Sequence, residues 1–319
     1  NGGGVRRVRW VVMLALVVSA GLAGHIWQHR LQGKVEERVT RLFEAGGGKT
    51  EDPSRSRTAS GQIGGLKLSD RIVIRLYGRY LNLPLLLREA SYTTLVDSTW
   101  VAREPSFRQL SPGGDGSSWK FAQTSPAEKR VRIAASMDSD KGILSLPSGV
   151  TGISGLAVDE LNRSRLGAFT ITGGSAVLDY HADYLADTVN AGAPTDFDLH
   201  VPQRLKPLFA RLVEELQLWG QPVDEIVSRV SGYFSQNFSY RIVQRASDAG
   251  KEPLEDFLLK SKAGHCEYFA TATALLLRSA GIPARYVAGY SVQEFSPWEK
   301  AYIARQRHAH AWCQIYING

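Results

Sequence analysis

Cys266 is one of two cysteines in a 319-residue chain, and it stands in the run Gly264-His265-Cys266-Glu267-Tyr268-Phe269. Gly264 reads as a chain turn. Phe269, Thr273, Leu276, Leu277 and Ala280 then recur at i, i+3/i+4 spacing, the pattern of an amphipathic helix. Gly281 stops that helix and Pro283 prevents its restart. A cysteine in the first turn of a buried helix meets unpaired backbone N–H groups and the positive end of the helix dipole. Both favour negative charge, so this position predicts a lowered thiol pKa and a thiolate nucleophile near neutral pH. The alternative is plain packing, since cores accept cysteine readily as a small apolar side chain.

Acyl transfer by a thiolate needs an imidazole that pairs with the sulfur and then delivers a proton to the leaving group. That histidine is distant in sequence but must be close in space. His308 to Ile317 reads as a strand. On an extended strand side chains alternate, so His308, His310, Trp312, Gln314 and Tyr316 share one face. Ala309, Ala311, Cys313, Ile315 and Ile317 share the other. The second face is small or apolar and should be core, with Cys313 a buried, inert thiol rather than a disulfide partner of Cys266. The first is polar and aromatic, as the wall of a cleft would be. His308, His310 and His265 lack any zinc-type spacing, so no metal is assigned. Asp138-x-Asp140 lacks the glycine and closing glutamate of a calcium loop and reads as a turn.

The ordered set G-x-C-x-x-[FY]-A, G-I-P-A-R, G-Y and H-A-W resembles the core of the transglutaminase-like superfamily. The resemblance covers roughly Pro202 to Gly319, with its specific part from Asp256 onward. It implies a papain-like α+β cysteine enzyme with a Cys-His-Asp triad, in which Cys266 is the nucleophile and His310 its base. The third member is an aspartate on the following strand. Asn318-Gly319 is a strong hairpin signal, so that aspartate is expected beyond Gly319, in a core truncated at its C-terminus. The first residue is Asn1 rather than Met, and both ends read as cut. The implied reaction is acyl transfer from a protein or peptide amide, a glutamine side chain, through a Cys266 thioester. No cofactor is implied. A thiol peptidase or amidase acting on cell-envelope peptides is the nearest alternative. A non-catalytic envelope protein that binds peptides in the same cleft is another.

Four further residues are candidates for substrate or oxyanion contacts. Tyr240 is a second oxyanion donor beside the Cys266 N–H, or a half-buried strand tyrosine. Trp312 packs beside His310. Glu267 gains from the helix dipole, and the resemblance offers it a substrate or structural role. His308 is a surface residue, a substrate contact or a helper of the base; His265 is a packing or rim residue. Arg285, on a predicted buried strand, requires a carboxylate, with Glu267 and Glu294 as candidates.

Hydrophobic content of 43% and charged content of 22% are those of a globular chain. The net charge of +7 is not gathered into a basic block with interleaved aromatics, which argues against nucleic acid. It suits an anionic membrane surface or envelope polymers. Residues 1–9 are a basic flank. Residues 10–27 are mostly apolar, with tryptophans at both ends, and predict a transmembrane helix at the short end of spanning lengths; a cleavable signal peptide is the rival. Charges on both sides leave orientation open. The resemblance, to the bacterial membrane-anchored branch of the superfamily, implies an inner-membrane protein with a periplasmic catalytic domain and a protein, peptide or cell-wall peptide substrate. Residues 28–65 read as a juxtamembrane helix and linker. Residues 66–190 hold short strands punctuated by turn residues, an all-β, sandwich-like accessory domain. Residues 200–319 follow as helices, then the nucleophile helix, then strands, so the fold class is α+β.

Overall fold

A strand from the first half of the chain lies beside the strand that follows the nucleophile helix. The computed structural model describes residues 57–59, 66–67, 69–78, 81–103, 106–122, 128–186, 188–242 and 253–317. The expected membrane helix at 10–27, its basic flank and most of the 28–65 helix and linker lie outside these residues. Among the described residues no helix is long and apolar enough to cross a membrane.

Five strands and three helices position the site: β1 (Ile72–Tyr77), β2 (Leu85–Tyr92), α1 (Lys206–Glu215), α2 (Val223–Asn237), α3 (Cys266–Ser279), β3 (Ala284–Val292), β4 (Ala301–Arg305) and β5 (Ala309–Ile315). β3 is the central partner. It pairs antiparallel with β5, setting Gly289 opposite His310 and Ala288 opposite Ala311. On its other edge it pairs with β2, from Tyr286–Tyr92 to Val292–Leu85. β4 pairs in turn with β1 in a seven-stranded sheet. Two sheets therefore draw strands from both sides of the boundary expected near residues 190–200, and the 66–190 stretch is not a self-contained sandwich. The physical reason is edge pairing: β2 and β3 each cover hydrogen-bonding groups that the other would leave open. Strands 107–110, 141–143, 160–164 and 169–172 do pair among themselves, in a separate four-stranded sheet.

The β2–β3 ladder shifts register between Ala288 and Gly289. A Cβ at Gly289 would stand 2.0 Å from the Leu87 carbonyl oxygen, so only glycine permits this close approach.

Trp100 ties the accessory strands to the nucleophile helix. Its Nε1 donates to Thr271 Oγ1 at 2.9 Å, and its ring stacks on Tyr286 at 5.2 Å. The Arg278 guanidinium covers the same indole at 5.1 Å and donates to the Ala284 carbonyl at 2.9 Å. Indole, guanidinium and helix thus make one buried layer against β3.

Arg285 finds a carboxylate, but neither of the expected ones. Its Nε and Nη2 each donate to Asp198 at 2.8 Å, and both side chains are 0% exposed. Asp198 comes from residues 190–202, the connector between the two expected domains, and its second oxygen also accepts the Thr195 N–H at 2.8 Å. The connector is therefore tied into the core. Glu294 instead binds Arg305 and Arg307.

Candidate active site

The nucleophile helix begins where the sequence pattern places it, with Cys266 as its first residue after an extended His265. It ends in a glycine-based cap: the Gly281 N–H donates to Arg278 O at 3.0 Å and the Ile282 N–H to Leu277 O at 2.9 Å. Gly281 has φ +85°, which satisfies the last carbonyls at no steric cost. Before the helix, Gly264 runs between aromatic rings; a Cβ there would lie 3.0 Å from Phe257 and 3.1 Å from Tyr268.

A two-residue parallel bridge sets the next side chain. Tyr240 pairs with Gly264, and the Arg241 N–H donates to Gly264 O at 2.8 Å. This puts the Tyr240 hydroxyl against the helix start, where it donates toward the Cys266 sulfur and accepts from the Cys266 backbone N–H. The ring is 52% exposed, so it borders solvent as well as the site.

Cys266 is 3% exposed. Its sulfur lies within hydrogen-bonding reach of the Ala311 backbone N–H, the amide directly joined to His310. α3 therefore packs its first residue against the strand that carries the histidine. On β5, Ala309 and Ala311 are buried at 3% each, while His310 and Trp312 are partly exposed. The two faces fall as the alternation predicts over Ala309–Trp312 but not beyond: Gln314, expected in the cleft wall, is buried, while Cys313, Ile315 and Ile317, expected in the core, are partly or largely exposed. The His310 and Trp312 rings lie near-parallel at 6.4 Å and 21°.

Two electrostatic findings differ from the sequence expectation. Burial pushes the Cys266 thiol up, outweighing the downward pull of Lys67, the Ala311 N–H and the Tyr240 hydroxyl, while Glu267 adds to the rise. Burial also brings His310 down to about 4, with Lys67 contributing. The helix terminus does not by itself make a thiolate here, because desolvation of a charged sulfur costs more than these groups return. At neutral pH Cys266 therefore rests as a thiol and His310 as a neutral imidazole. Cys313 is partly exposed rather than fully buried, yet its thiol is pushed up to about 12.

The remaining candidates are distributed around this pair. Glu267 is 1% exposed and points inward, accepting from the Tyr286 hydroxyl with His265 Nδ1 3.4 Å away. His265 is not at the rim: it is buried edge-on to Tyr268 at 4.9 Å and held at about 4 by burial and Lys67. It is therefore neutral, and its contact with Glu267 is not an ion pair at neutral pH. His308 is not on the strand. It closes a 3-10 turn at Gln306–His308, where its Nδ1 accepts the Arg305 N–H at 3.2 Å and its Nε2 lies 3.4 Å from Glu294. Among the described residues the charged group acting on His310 is Lys67, and no carboxylate accompanies it. Lys67, half-buried beside Cys266 and Glu267, is a member of the site that sequence reasoning missed. A cavity of about 320 Å³ lined by Trp119, Asp159 and Leu161 touches none of these groups.

A buried cysteine heading a helix, packed against the strand that carries a histidine, is the arrangement of a papain-like cysteine site. Residues 210–319 match the family model of the transglutaminase-like superfamily. The protein-glutamine gamma-glutamyltransferase of Pseudomonas aeruginosa is 33% identical across 120 residues, covering 37% of this chain and 18% of its own length. The uncharacterized protein YebA of Bacillus subtilis is 31% identical across 123 residues, covering 37% and 16%. The chain thus matches less than a fifth of the length of either curated relative. The fold as a whole is similar to crystal structures of the periplasmic domain of TgpA from Pseudomonas aeruginosa. One has a TM-score of 0.61, 21% identity and coverage of 85% of this chain and 90% of that one. The other, bound to ethylmercury, has a TM-score of 0.60, 21% identity and coverage of 82% and 91%.

Proposed function

We propose that this protein is a transglutaminase-like cysteine acyltransferase, with Cys266 as nucleophile and His310 as its base. The observation that carries the reading is the reach of the Cys266 sulfur to the amide adjoining His310. Because His310 sits at about 4, it is a free base across neutral pH. It takes the thiol proton as the sulfur attacks an amide carbonyl, so no preformed ion pair is needed. The Cys266 N–H and the Tyr240 hydroxyl face one another in the resting site. Both are donors positioned to turn toward the oxyanion of the tetrahedral intermediate. The protonated His310 then releases ammonia from a glutamine side chain, leaving a Cys266 thioester. An amine acceptor gives an isopeptide bond; water gives deamidation.

Trp312, flat beside His310, limits water on that side of the base. His308 and Glu267 serve the structure of the site in this reading rather than the substrate. The triad carboxylate that the superfamily resemblance assigns to a following strand would raise the His310 pKa and fix its ring. By likeness to a periplasmic domain, the catalytic part works outside the cytoplasm, tethered at the inner membrane through residues 10–27, on envelope proteins or peptides.

The full chain incubated with a glutamine-containing peptide and a fluorescent primary amine is expected to incorporate the amine and release ammonia. Loss of peptide bonds without ammonia would make it a thiol peptidase. Tight peptide binding without either product would make it a binding module.

A further inference from the structure

Lys67 enters the site from a stretch just past the expected linker, and backbone pairing explains how. β1 and β4 pair up to Ile72 opposite Arg305. The pairing continues beyond both strands: the Gln306 N–H donates to Arg71 O at 2.8 Å and the Arg307 N–H to Ser69 O at 3.0 Å. Arg305 Nη1 donates to Asp70 O at 2.8 Å, and Arg307 holds the Asp70 carboxylate. Two steps back from Arg71 thus answer one step forward from Gln306, toward His308 and His310. A turn closed by the Ser69 N–H on Leu66 O at 3.1 Å, with Leu66 packed on the core, fixes the end of this strap. Lys67 is half-buried there, and its charge is felt by Cys266, Glu267, His265, His308 and His310 alike.

We propose that Lys67 is a positioning residue of the acyl-transfer site, whose ammonium stabilises the negative charge that the Cys266 sulfur carries whenever it is free of the acyl group. The groups facing that sulfur leave the task to it. Glu267 opposes ionisation, while the Tyr240 hydroxyl and the Ala311 N–H donate hydrogen bonds without carrying charge. His310 and His265 are neutral above about pH 4, and His308 is turned to Glu294. Among the described residues, Lys67 is the cation acting on Cys266. Thioester breakdown expels a thiolate into a buried site, so the Lys67 ammonium, whose pKa burial lowers and the Cys266 and Glu267 charges raise, assists deacylation as well as attack. The strap also couples the lysine to the histidine strand, since the residues that clamp Ser69 to Arg71 lead directly into His310.

The inference rests on Cys266 being the nucleophile, and its test separates the two claims. Iodoacetamide labelling of Cys266, read by peptide mass mapping from about pH 6 to about pH 10, brackets the ordinary cysteine pKa. Lys67→Met is expected to move the Cys266 midpoint upward by about one pH unit and slow labelling at neutral pH about tenfold. Cys313 labelling in the same samples should not change. Lys67→Arg should keep the wild-type profile, because it keeps the charge. Lys67→Gln, a second neutral variant, guards against a folding defect in the first, and thermal melting monitors both. Equal midpoints in wild type and the folded neutral variants would overturn the role of Lys67 while leaving Cys266 as nucleophile. A wild-type Cys266 that labels no faster than Cys313 would remove the nucleophile and this role with it.

Discussion

Replacing His310 by alanine is expected to slow amine incorporation by about 10²–10⁴-fold, the usual contribution of a positioned general base. The reason lies in the protonation states of the free site. Burial holds the Cys266 thiol up and His310 down to about 4, so the sulfur does not arrive at neutral pH already ionised. Attack requires the proton to leave as the bond forms, and His310 is the strand imidazole next to the amide that touches the sulfur. Alanine removes the proton acceptor and leaves the β3–β5 pairing of Gly289 with position 310 intact, since that pairing is made by the backbone. The variant should therefore melt like wild type. Cys266→Ala should abolish turnover, and adding His310→Ala to it should cost nothing more, because the two residues act as a unit. Steady-state rates beside melting curves for the three variants check this. A His310→Ala variant with near wild-type turnover would contradict it.

Arg285→Met is expected to destabilise the fold by about 3–5 kcal/mol, the cost of leaving one partner of a buried ion pair uncompensated. Arg285 and Asp198 are both 0% exposed and joined by two 2.8 Å hydrogen bonds. The guanidinium also donates to Ala193 O at 3.2 Å, meets the Tyr316 hydroxyl, and lies 4.7 Å from the Tyr316 ring centroid. Removing it strands a carboxylate in a fully buried layer and frees the 190–202 connector from β3. Asp198→Leu combined with Arg285→Met removes both charges and should recover much of the loss, since a buried pair is often replaceable by apolar residues. Urea unfolding of the single and double variants reads this directly. A single variant as stable as wild type, or a double variant weaker than the single, would contradict the account.

What was legible in the sequence follows from the range of each interaction. The limits of α3 were readable because their causes are local: apolar spacing, Cys266 after an extended residue, and Gly281 as the stop. The two faces of β5 were readable over Ala309–Trp312, because alternation is local too, but not at Cys313–Ile315, where the layers packed on the strand decide burial. The strand sharing was not, because nothing in Leu85–Tyr92 names a partner some 200 positions on, at Ala284–Val292. The same holds for Arg285. The need for a carboxylate was evident from its setting, but choosing Asp198 over Glu267 or Glu294 depended on where the connector runs. His308 was assigned to the strand with His310, yet the 3-10 turn at Gln306–His308 delays the strand by one residue. The thiol itself was misjudged in direction, because a helix terminus is visible in a sequence and the depth of its burial is not. Lys67 carried no signal at all: a lone lysine beside a linker joins the site only through the pairing of Ser69 and Arg71 with Arg307 and Gln306.

In the proposed mechanism an acyl group passes covalently through the sulfur of Cys266. Acid quenching of the full chain during reaction with a glutamine peptide, without an amine acceptor, followed by mass mapping, tests it most directly. The expected product is an adduct of the peptide minus ammonia on Cys266, discharged by hydroxylamine and missing from Cys266→Ala. Turnover with no adduct at Cys266, or an adduct at Cys313 instead, would contradict it.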